Sequence, residues 1–563
     1  MSAEIQITQT ENSDKAFLTS GDCNLDFFTR IVRDAKIQDI IDTFVKAWNE
    51  DSSTAMEVLM NMRDPRNGKQ EKLIPIVVIA YLKFTIPAKV YEDVLKAMLP
   101  YGYWKDLLRI HEFVSRINLS LNKGKVVTKQ QKLLRAKLAL TQAPAIELSM
   151  FADQLKTDYD NLLSAKETNK KISISLAAKW APSEDSHHDH HPMFAAKTIK
   201  TIMGLTSKQY RVMLKDMREH LNILEMLMAT QQYDKIDFSK IPATAMKKMN
   251  KAFKRNTNSG GVESEARIKL HLSYTEFMAK LSKGETKVNV TGIQPHELIA
   301  SYQHNKAEID QLVEEQWLAI MQRVMEKGAF NKVTAIVDVS GSMEGTPMQV
   351  AIALGIMVAE CTTGPFHNQV ITFHESPSWH KLVGNTLMEK VHCMAKAPWG
   401  GSTNLRATFD LILNEALRYQ LTPDQMVDTL FVFTDMQFDS AFRGSTTSTF
   451  EDIKLAFENA GYKLPKIIFW NLRTSDAKSL PVLKNEENVA MLSGFSSELL
   501  NCIIDAKEFT PITIMLHVLS KYMAPKSVRN CIIGQFPHDI TVLENAVSMS
   551  QIKKSFKEVK VDN

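Results

Sequence analysis

Asp338-x-Ser340-x-Ser342 follows an apolar, β-branched run, Val333–Val337, in the stretch V-T-A-I-V-D-V-S-G-S-M. A carboxylate and two hydroxyls at alternate positions of a tight, glycine-containing turn place three small oxygen ligands on one concave loop. That donor set suits a hard divalent cation. Two further pieces stand downstream. Gly400-Gly401-Ser402-Thr403-Asn404 offers another hydroxyl, Thr403, and a second apolar run, Leu430–Thr434, ends in Asp435. Ser340, Ser342 and Thr403 can supply neutral oxygens directly, while Asp338 and Asp435 ligate or hold bound water and supply negative charge. Mg²⁺ is the expected cofactor, with Mn²⁺ or Ca²⁺ as alternatives. With so few carboxylates the ion stays electrophilic, and an acidic side chain from a protein partner can complete its shell. Glu344 and Asp439 lie close in sequence and read as solvated charges or helix caps.

Other reactive chemistry is weaker. Ser186-His187-His188-Asp189-His190-His191 has the composition of a zinc or copper site. Imidazoles so crowded on one loop cannot all converge on one ion, and no cysteine joins them, so a solvated loop is the plainer expectation. Ser340 has no G-x-S-x-G elbow or Ser–His–acid ordering around it. The sequence holds no G-x-x-x-x-G-K-[ST] loop. A chain without catalysis is expected.

The chain has 563 residues, 44% hydrophobic and 23% charged, which implies more than one domain of ordinary globular composition. Its five cysteines are scattered and form no C-x-x-C pair, which argues against a disulfide framework or zinc finger and for a reducing compartment. No secretory n- and h-region opens the sequence, and no apolar run reaches the roughly 18–20 residues that cross a bilayer. An intracellular, cytoplasmic protein without membrane association is the expectation.

The net charge of +4 conceals an asymmetry. Residues 331–563 carry 21 basic and 24 acidic side chains, leaving 47 basic and 40 acidic for residues 1–330. Lys123, Lys125, Lys129, Lys132, Arg135 and Lys137 fall in one stretch without an acid. Lys247, Lys248, Lys251, Lys254 and Arg255 form a second. These stretches carry an alternative function, a surface that tracks the phosphates of a small structured or single-stranded RNA; solvated helix faces are the plainer reading. Trp104, Trp180, Trp317, Tyr101 and Tyr103 have rings that could stack on bases, though core packing is the more ordinary use.

The elements that must position these groups divide the chain at about residue 330. Residues 1–23 read as an N-terminal tail. Residues 24–330 show helical apolar spacing at Leu73–Phe84, Val90–Met98, Lys129–Leu140, Ala195–Met203 and Lys208–Met228, interrupted by Asp64-Pro65, Pro87, Pro100, Pro182 and Pro242. A helical array of the α-solenoid kind is expected there. From residue 331 to 508, strands at Val333–Val337, Gln369–Phe373, Leu430–Phe433, Lys466–Trp470 and Val489–Leu492 alternate with helices at Pro347–Glu360, Asn404–Arg418, Phe450–Asn459 and Ser496–Ile504. That alternation predicts a doubly wound, mostly parallel sheet. Residues 509–563 form a C-terminal extension with an apolar helix at Pro511–Tyr522.

D-x-S-x-S, G-G-S-T-N and T-D in this order resemble the metal-ion-dependent adhesion site (MIDAS) of von Willebrand factor A domains. The resemblance implies a Rossmann-like sheet with Asp338, Ser340, Ser342, Thr403 and Asp435 around the metal. The phrases R-D-P-R-N-G-K (Arg63–Lys69), L-P-Y-G-Y-W-K-D-L (Leu99–Leu107), A-A-K-W-A-P-S (Ala177–Ser183), Y-D-K-I-D (Tyr233–Asp237), G-I-Q-P-H-E (Gly292–Glu297) and F-W-N-L-R (Phe469–Arg473) resemble the family known as domain of unknown function 2828, for which no activity is established. A helical array followed by a von Willebrand A domain is also similar in layout to the Ro ribonucleoprotein autoantigen, which implies RNA binding by analogy only. Asn404 stands where Ro-like proteins tend to have Asp.

Overall fold

The computed structural model describes residues 7–10, 15–33, 35–120, 145–184, 195–257, 261–302, 308–326, 330–373, 376–398, 404–438, 449–474, 479–502 and 508–536. The chain forms two compact units, and neither is one continuous stretch. One comprises Met1–Glu71, Ser239–Asn250 and Phe277–Met523; the other comprises Lys72–Phe238, Lys251–Glu276 and Ala524–Asn563. A division in sequence order, helical to residue 330 and sheet from 331, does not describe this. Residues 1–71 pack in the same unit as the sheet, and the segment after residue 508 is shared between the two units.

In the sheet-bearing unit a hairpin of β1 (Ile7–Gln9) and β2 (Lys15–Phe17) stands where a tail was expected. Phe17 exchanges backbone hydrogen bonds of 2.9 Å with Leu480 in both directions. Helices α1 (Cys23–Arg30), α2 (Ile37–Glu50) and α3 (Ser52–Arg63) follow, then α4 (Pro295–Ile299) and α5 (Gln311–Met325). A two-residue strand β3 (Phe330–Asn331) precedes β4 (Val333–Asp338), α6 (Thr346–Cys361), β5 (Thr362–Thr363), β6 (Gln369–Phe373), β7 (Ser378–Lys381) and α7 (Leu387–Met394). The remainder is α8 (Leu405–Arg418), β8 (Thr429–Thr434), α9 (Thr449–Asn459), β9 (Lys466–Asn471), β10 (Val489–Ser493) and α10 (Pro511–Leu519).

Six strands form one sheet in the order β10-β9-β8-β4-β6-β7, all parallel except the β6–β7 pair. Numbered along the chain from β4, this is the 6-5-4-1-2-3 arrangement of doubly wound sheets. β4, β8, β9 and β10 are apolar almost without interruption and buried along their length. Strands covered on both faces need no alternation, so they read as continuous hydrophobic runs. α6 packs on β4, β6 and β8 and is buried on nearly every side. Gly355 allows that approach, because a Cβ there would meet Val337 Cγ2 at 2.5 Å.

The carboxyl ends of β9 and β10 are tied to the end of α1. A helix leaves its last carbonyls without partners, and here side chains supply them. Lys69 Nζ and Ser493 Oγ (2.7 Å) donate to the Phe28 carbonyl, and Asn471 Nδ2 donates to Thr29 at 3.0 Å. Lys69 is fully buried because the turn Arg66–Lys69 folds back on α3: Lys69 N donates to the Asn61 carbonyl at 2.9 Å, and a Cβ at Gly68 would lie 2.0 Å from that oxygen. Burial pushes the Lys69 ammonium down to about 7, opposed by the Glu71 carboxylate. Its ammonium also lies 3.9 Å from the Phe28 ring centre.

The second unit is helical. Ile74–Thr85 is apolar on all sides and packs against Ala88–Met98 and Trp104–Ser120; the last also packs against Ile146–Glu167. Glu147, fully buried, is held by Lys83 Nζ at 2.8 Å and the Tyr91 hydroxyl at 2.6 Å. Buried charge persists only when paired and hydrogen-bonded in this way. Among the described residues no helix is long and apolar enough to cross a membrane.

The five expected strands are present with ends shifted by at most one residue. Of the expected helix Ser496–Ile504, residues 503–504 lie outside the described residues, and a 3₁₀ turn rather than an α-helix spans Ser497–Cys502. The expected helix Lys129–Leu140 lies outside the described residues. β7 and α7 were not anticipated; β7 is a four-residue antiparallel edge strand, S-W-H-K, with no apolar period.

Two outcomes follow from this packing. Gly355→Ala gains about 1 kcal/mol of helix propensity but overpacks against Val337 by about 1–3 kcal/mol. Urea unfolding should therefore show a net loss, recovered in Gly355→Ala/Val337→Ala. Lys69 holds its proton less tightly when folded (about 7) than the ordinary 10.5. Between those values the unfolded chain binds the extra proton, so stability rises with pH. The unfolding free energy of the wild type minus that of Lys69→Met should climb from pH 7 to 10 and level off below 7; a flat difference would show that Lys69 titrates normally.

Candidate metal centre

β4 and β8 are neighbours at the point where the strand order reverses, the place where open α/β sheets hold ligands beyond their carboxyl ends. Val337 pairs with Phe433, so the next residues out, Asp338 and Thr434, end the two strands side by side. Asp338 Oδ1 accepts the Ser340 amide at 2.9 Å and Oδ2 accepts the Thr434 hydroxyl at 2.7 Å. Ser340 Oγ and Ser342 Oγ lie 3.0 Å apart across the short 3₁₀ turn Gly341–Met343. Asp435 Oδ1 accepts the Gln437 amide at 3.2 Å. Met436 between them takes φ +65, a left-handed conformation that is costly for a side chain of this kind and recurs at functional turns.

Asp338 and Asp435 are both buried, at 0% and 2% exposure. Burial first and the Asp435 carboxylate second push Asp338 up to about 6, only partly offset by its hydrogen bonds to Ser340 and Thr434. No Lys, Arg or His pairs with either acid among the described residues. Two carboxylates in a low-dielectric corner without a counter-charge are a standing electrostatic cost. The donor set therefore fits a hard cation: it supplies negative charge from two acids and neutral oxygens from Ser340 and Ser342. No three His, Cys, Asp or Glu side chains gather into a metal-holding group among the described residues. A centre built from two carboxylates and hydroxyls is of a different kind.

The structure brings Asp338, Ser340, Ser342 and Asp435 to one strand edge. Thr403, with Gly400–Ser402, lies outside the described residues, as does Asp439. Asn404 caps α8, its side chain accepting the Ala407 amide at 3.0 Å. Glu344 is exposed. Two participants escaped the sequence reading. Thr434 has its hydroxyl on Asp338, and Arg473 Nη1 donates to the Ser342 carbonyl. Thr434 was visible as the last residue of an apolar strand, and Arg473 as part of F-W-N-L-R, but neither position predicts such a contact.

Of the basic residues, Lys123, Lys125, Lys129, Lys132 and Arg135 lie outside the described residues, as does the loop His187–His191. Lys248 and Lys251 are exposed on the helix Ala243–Phe253, whereas Lys247 donates to the Glu297 carbonyl. Trp317 is buried, and Trp104 packs edge-on against Phe151. Trp180 is half-buried beneath the Lys105 ammonium, 4.4 Å from its ring centre, and Lys105 also lies 5.0 Å from the ring of Tyr103.

Comparison with known proteins gives two family matches. Residues 332–522 match a domain of unknown function, DUF7788, and residues 10–145 and 146–330 match another, DUF2828. An uncharacterized protein of Acanthamoeba polyphaga mimivirus is 50% identical over 556 residues, spanning 98% of this chain and 94% of that protein. The phrase Phe469–Arg473 falls in the DUF7788 match, whereas the other five phrases lie within residues matched by DUF2828. With those five phrases, a matching family profile over most of its first 330 residues, and a relative alike over 98% of its length, the chain belongs to the domain of unknown function 2828 family.

Proposed function

We propose that the chain is a non-catalytic binding scaffold whose sheet is a von Willebrand factor A-type domain. In this reading Asp338, Ser340, Ser342, Thr403 and Asp435 hold a Mg²⁺, and the ion engages an acidic side chain of a protein partner. The observation that carries it is the pair of buried acids, Asp338 and Asp435, ending adjacent parallel strands at the order-reversal point with no cationic partner among the described residues. The sheet order supports the same reading, since it is that of a doubly wound sheet, the kind the resemblance implies.

When bound, the ion would supply a Lewis-acidic position for an outside carboxylate. The chain's own residues prepare that position. Thr434 and the Ser340 amide hold both oxygens of Asp338 in place, so the carboxylate is aimed before a ligand arrives. The Ser340 hydroxyl has Ser342 for its neighbour rather than a histidine, which favours ligation over nucleophilic attack.

In EDTA, Asp338→Asn should unfold at higher denaturant than wild type, by about 1–2 kcal/mol, because it removes a buried charge facing Asp435. Added Mg²⁺ should stabilise only the wild type, by about 2.7 kcal/mol at a hundredfold excess over its dissociation constant. Equal responses of the two proteins to Mg²⁺ in thermal melts would overturn the metal site. Measured by fluorescence anisotropy, Asp338→Ala should lose Mg²⁺-dependent binding of an aspartate-containing peptide while retaining its fold by circular dichroism.

A further inference from the structure

Arg473 is a charged side chain that the structure puts against the candidate ligand loop. β9 ends at Asn471, and Leu472 N donates to the Thr434 carbonyl at 2.9 Å, which continues the ladder to the edge that carries Asp435. Arg473 N donates to Asn471 Oδ1 at 3.1 Å, and Asn471, itself buried, donates to the Thr29 carbonyl. The backbone of Arg473 is thus held by an Asx-type turn whose asparagine is anchored on α1. Its side chain is exposed and reaches Ser342, donating from Nη1 to that residue's carbonyl.

A guanidinium carries five N–H donors in a rigid fork. Ser342 takes one, and no carboxylate pairs with Arg473 among the described residues. A cation fixed beside a metal-binding hydroxyl weakens the metal by repulsion. That cost is offset when an anion lies between the two positive charges, with one oxygen on the metal and the other on the fork.

Resting on the metal-site reading above, we infer that Arg473 is a specificity-determining residue for the ligand of this centre. The ligand is a partner's carboxylate with both oxygens free, one completing the shell of the ion and the other accepting from Arg473. An amide or a backbone carbonyl has a single acceptor oxygen and cannot satisfy both. Lysine would keep the charge but lose the fork.

Two measurements on the full chain separate this inference from the reading it rests on. Titration calorimetry with Mn²⁺ alone reports the metal site. Fluorescence anisotropy at saturating Mg²⁺, with a labelled pentapeptide bearing one aspartate and its asparagine counterpart, reports the ligand. The expected result is that Arg473→Ala and Arg473→Gln bind Mn²⁺ as tightly as wild type or tighter. Both should bind the aspartate peptide at least about tenfold more weakly, with Arg473→Lys intermediate and the asparagine peptide weak throughout. Mn²⁺ binding with equal peptide affinity in wild type and Arg473→Ala, or with no aspartate preference, would overturn the role of Arg473 and leave the metal centre standing. Weaker Mn²⁺ binding in both Arg473→Ala and Arg473→Gln would make the residue a prop for the loop and overturn the inference. Absence of Mn²⁺ binding in the wild type would overturn the metal reading itself.

Discussion

Asp338 and Asp435 face a shared electrostatic problem: two acids at the ends of adjacent parallel strands, out of water, with no basic side chain paired to them among the described residues. A parallel pair cannot avoid bringing like ends together, because every strand leaves the sheet on the same side. Chemistry loaded at one carboxyl end is therefore loaded at its neighbour's too. The chain offsets the repulsion locally, with a hydroxyl from Thr434 and the amide of Ser340 on Asp338. What it leaves over is negative charge beside two serine hydroxyls, a surplus that a small hard cation would neutralise.

The same edge is braced from outside the sheet. The final carbonyls of α1 are satisfied by Lys69, Ser493 and Asn471, drawn from α3's exit turn and from the ends of β10 and β9. A buried ammonium at a helix C-terminus is favourably placed with respect to the helix dipole, though its desolvation is costly enough to lower its proton affinity. Asn471 serves both structures, one side of its amide on α1 and the other on the backbone of Arg473. The N-terminal helices are thus part of the sheet's own packing, in keeping with their place in the same compact unit.

The parallel strands and the acids at their tips were legible because interior strands are unbroken apolar runs and because Asp338 and Asp435 interrupt two of them abruptly. β7 was illegible for the opposite reason: an edge strand of four residues, S-W-H-K, is held by pairing with β6 and has no period of its own. The 3₁₀ turn at Ser497–Cys502 was expected as a helix in the alternation with strands, but that alternation does not determine which hydrogen-bond pattern the backbone adopts. The change of pattern read at residue 330 falls where the two family matches meet, one ending at 330 and the other beginning at 332. Compactness follows a different partition, because long-range contacts are not a property of pattern.

Local chemistry along the chain was enough to determine which runs would be strands and that Asp338 and Asp435 stand at the ends of two of them. Periodicity and side-chain type are properties of neighbours in sequence, so they survive in a one-dimensional reading. That Lys69 would be buried, that Thr434 would hold Asp338, and that Arg473 would rest on the Ser342 carbonyl depended on partners 424, 96 and 131 residues away in the chain. Only the folded arrangement could decide these, since each contact is created by strand order and helix docking rather than by any preference of the residues themselves.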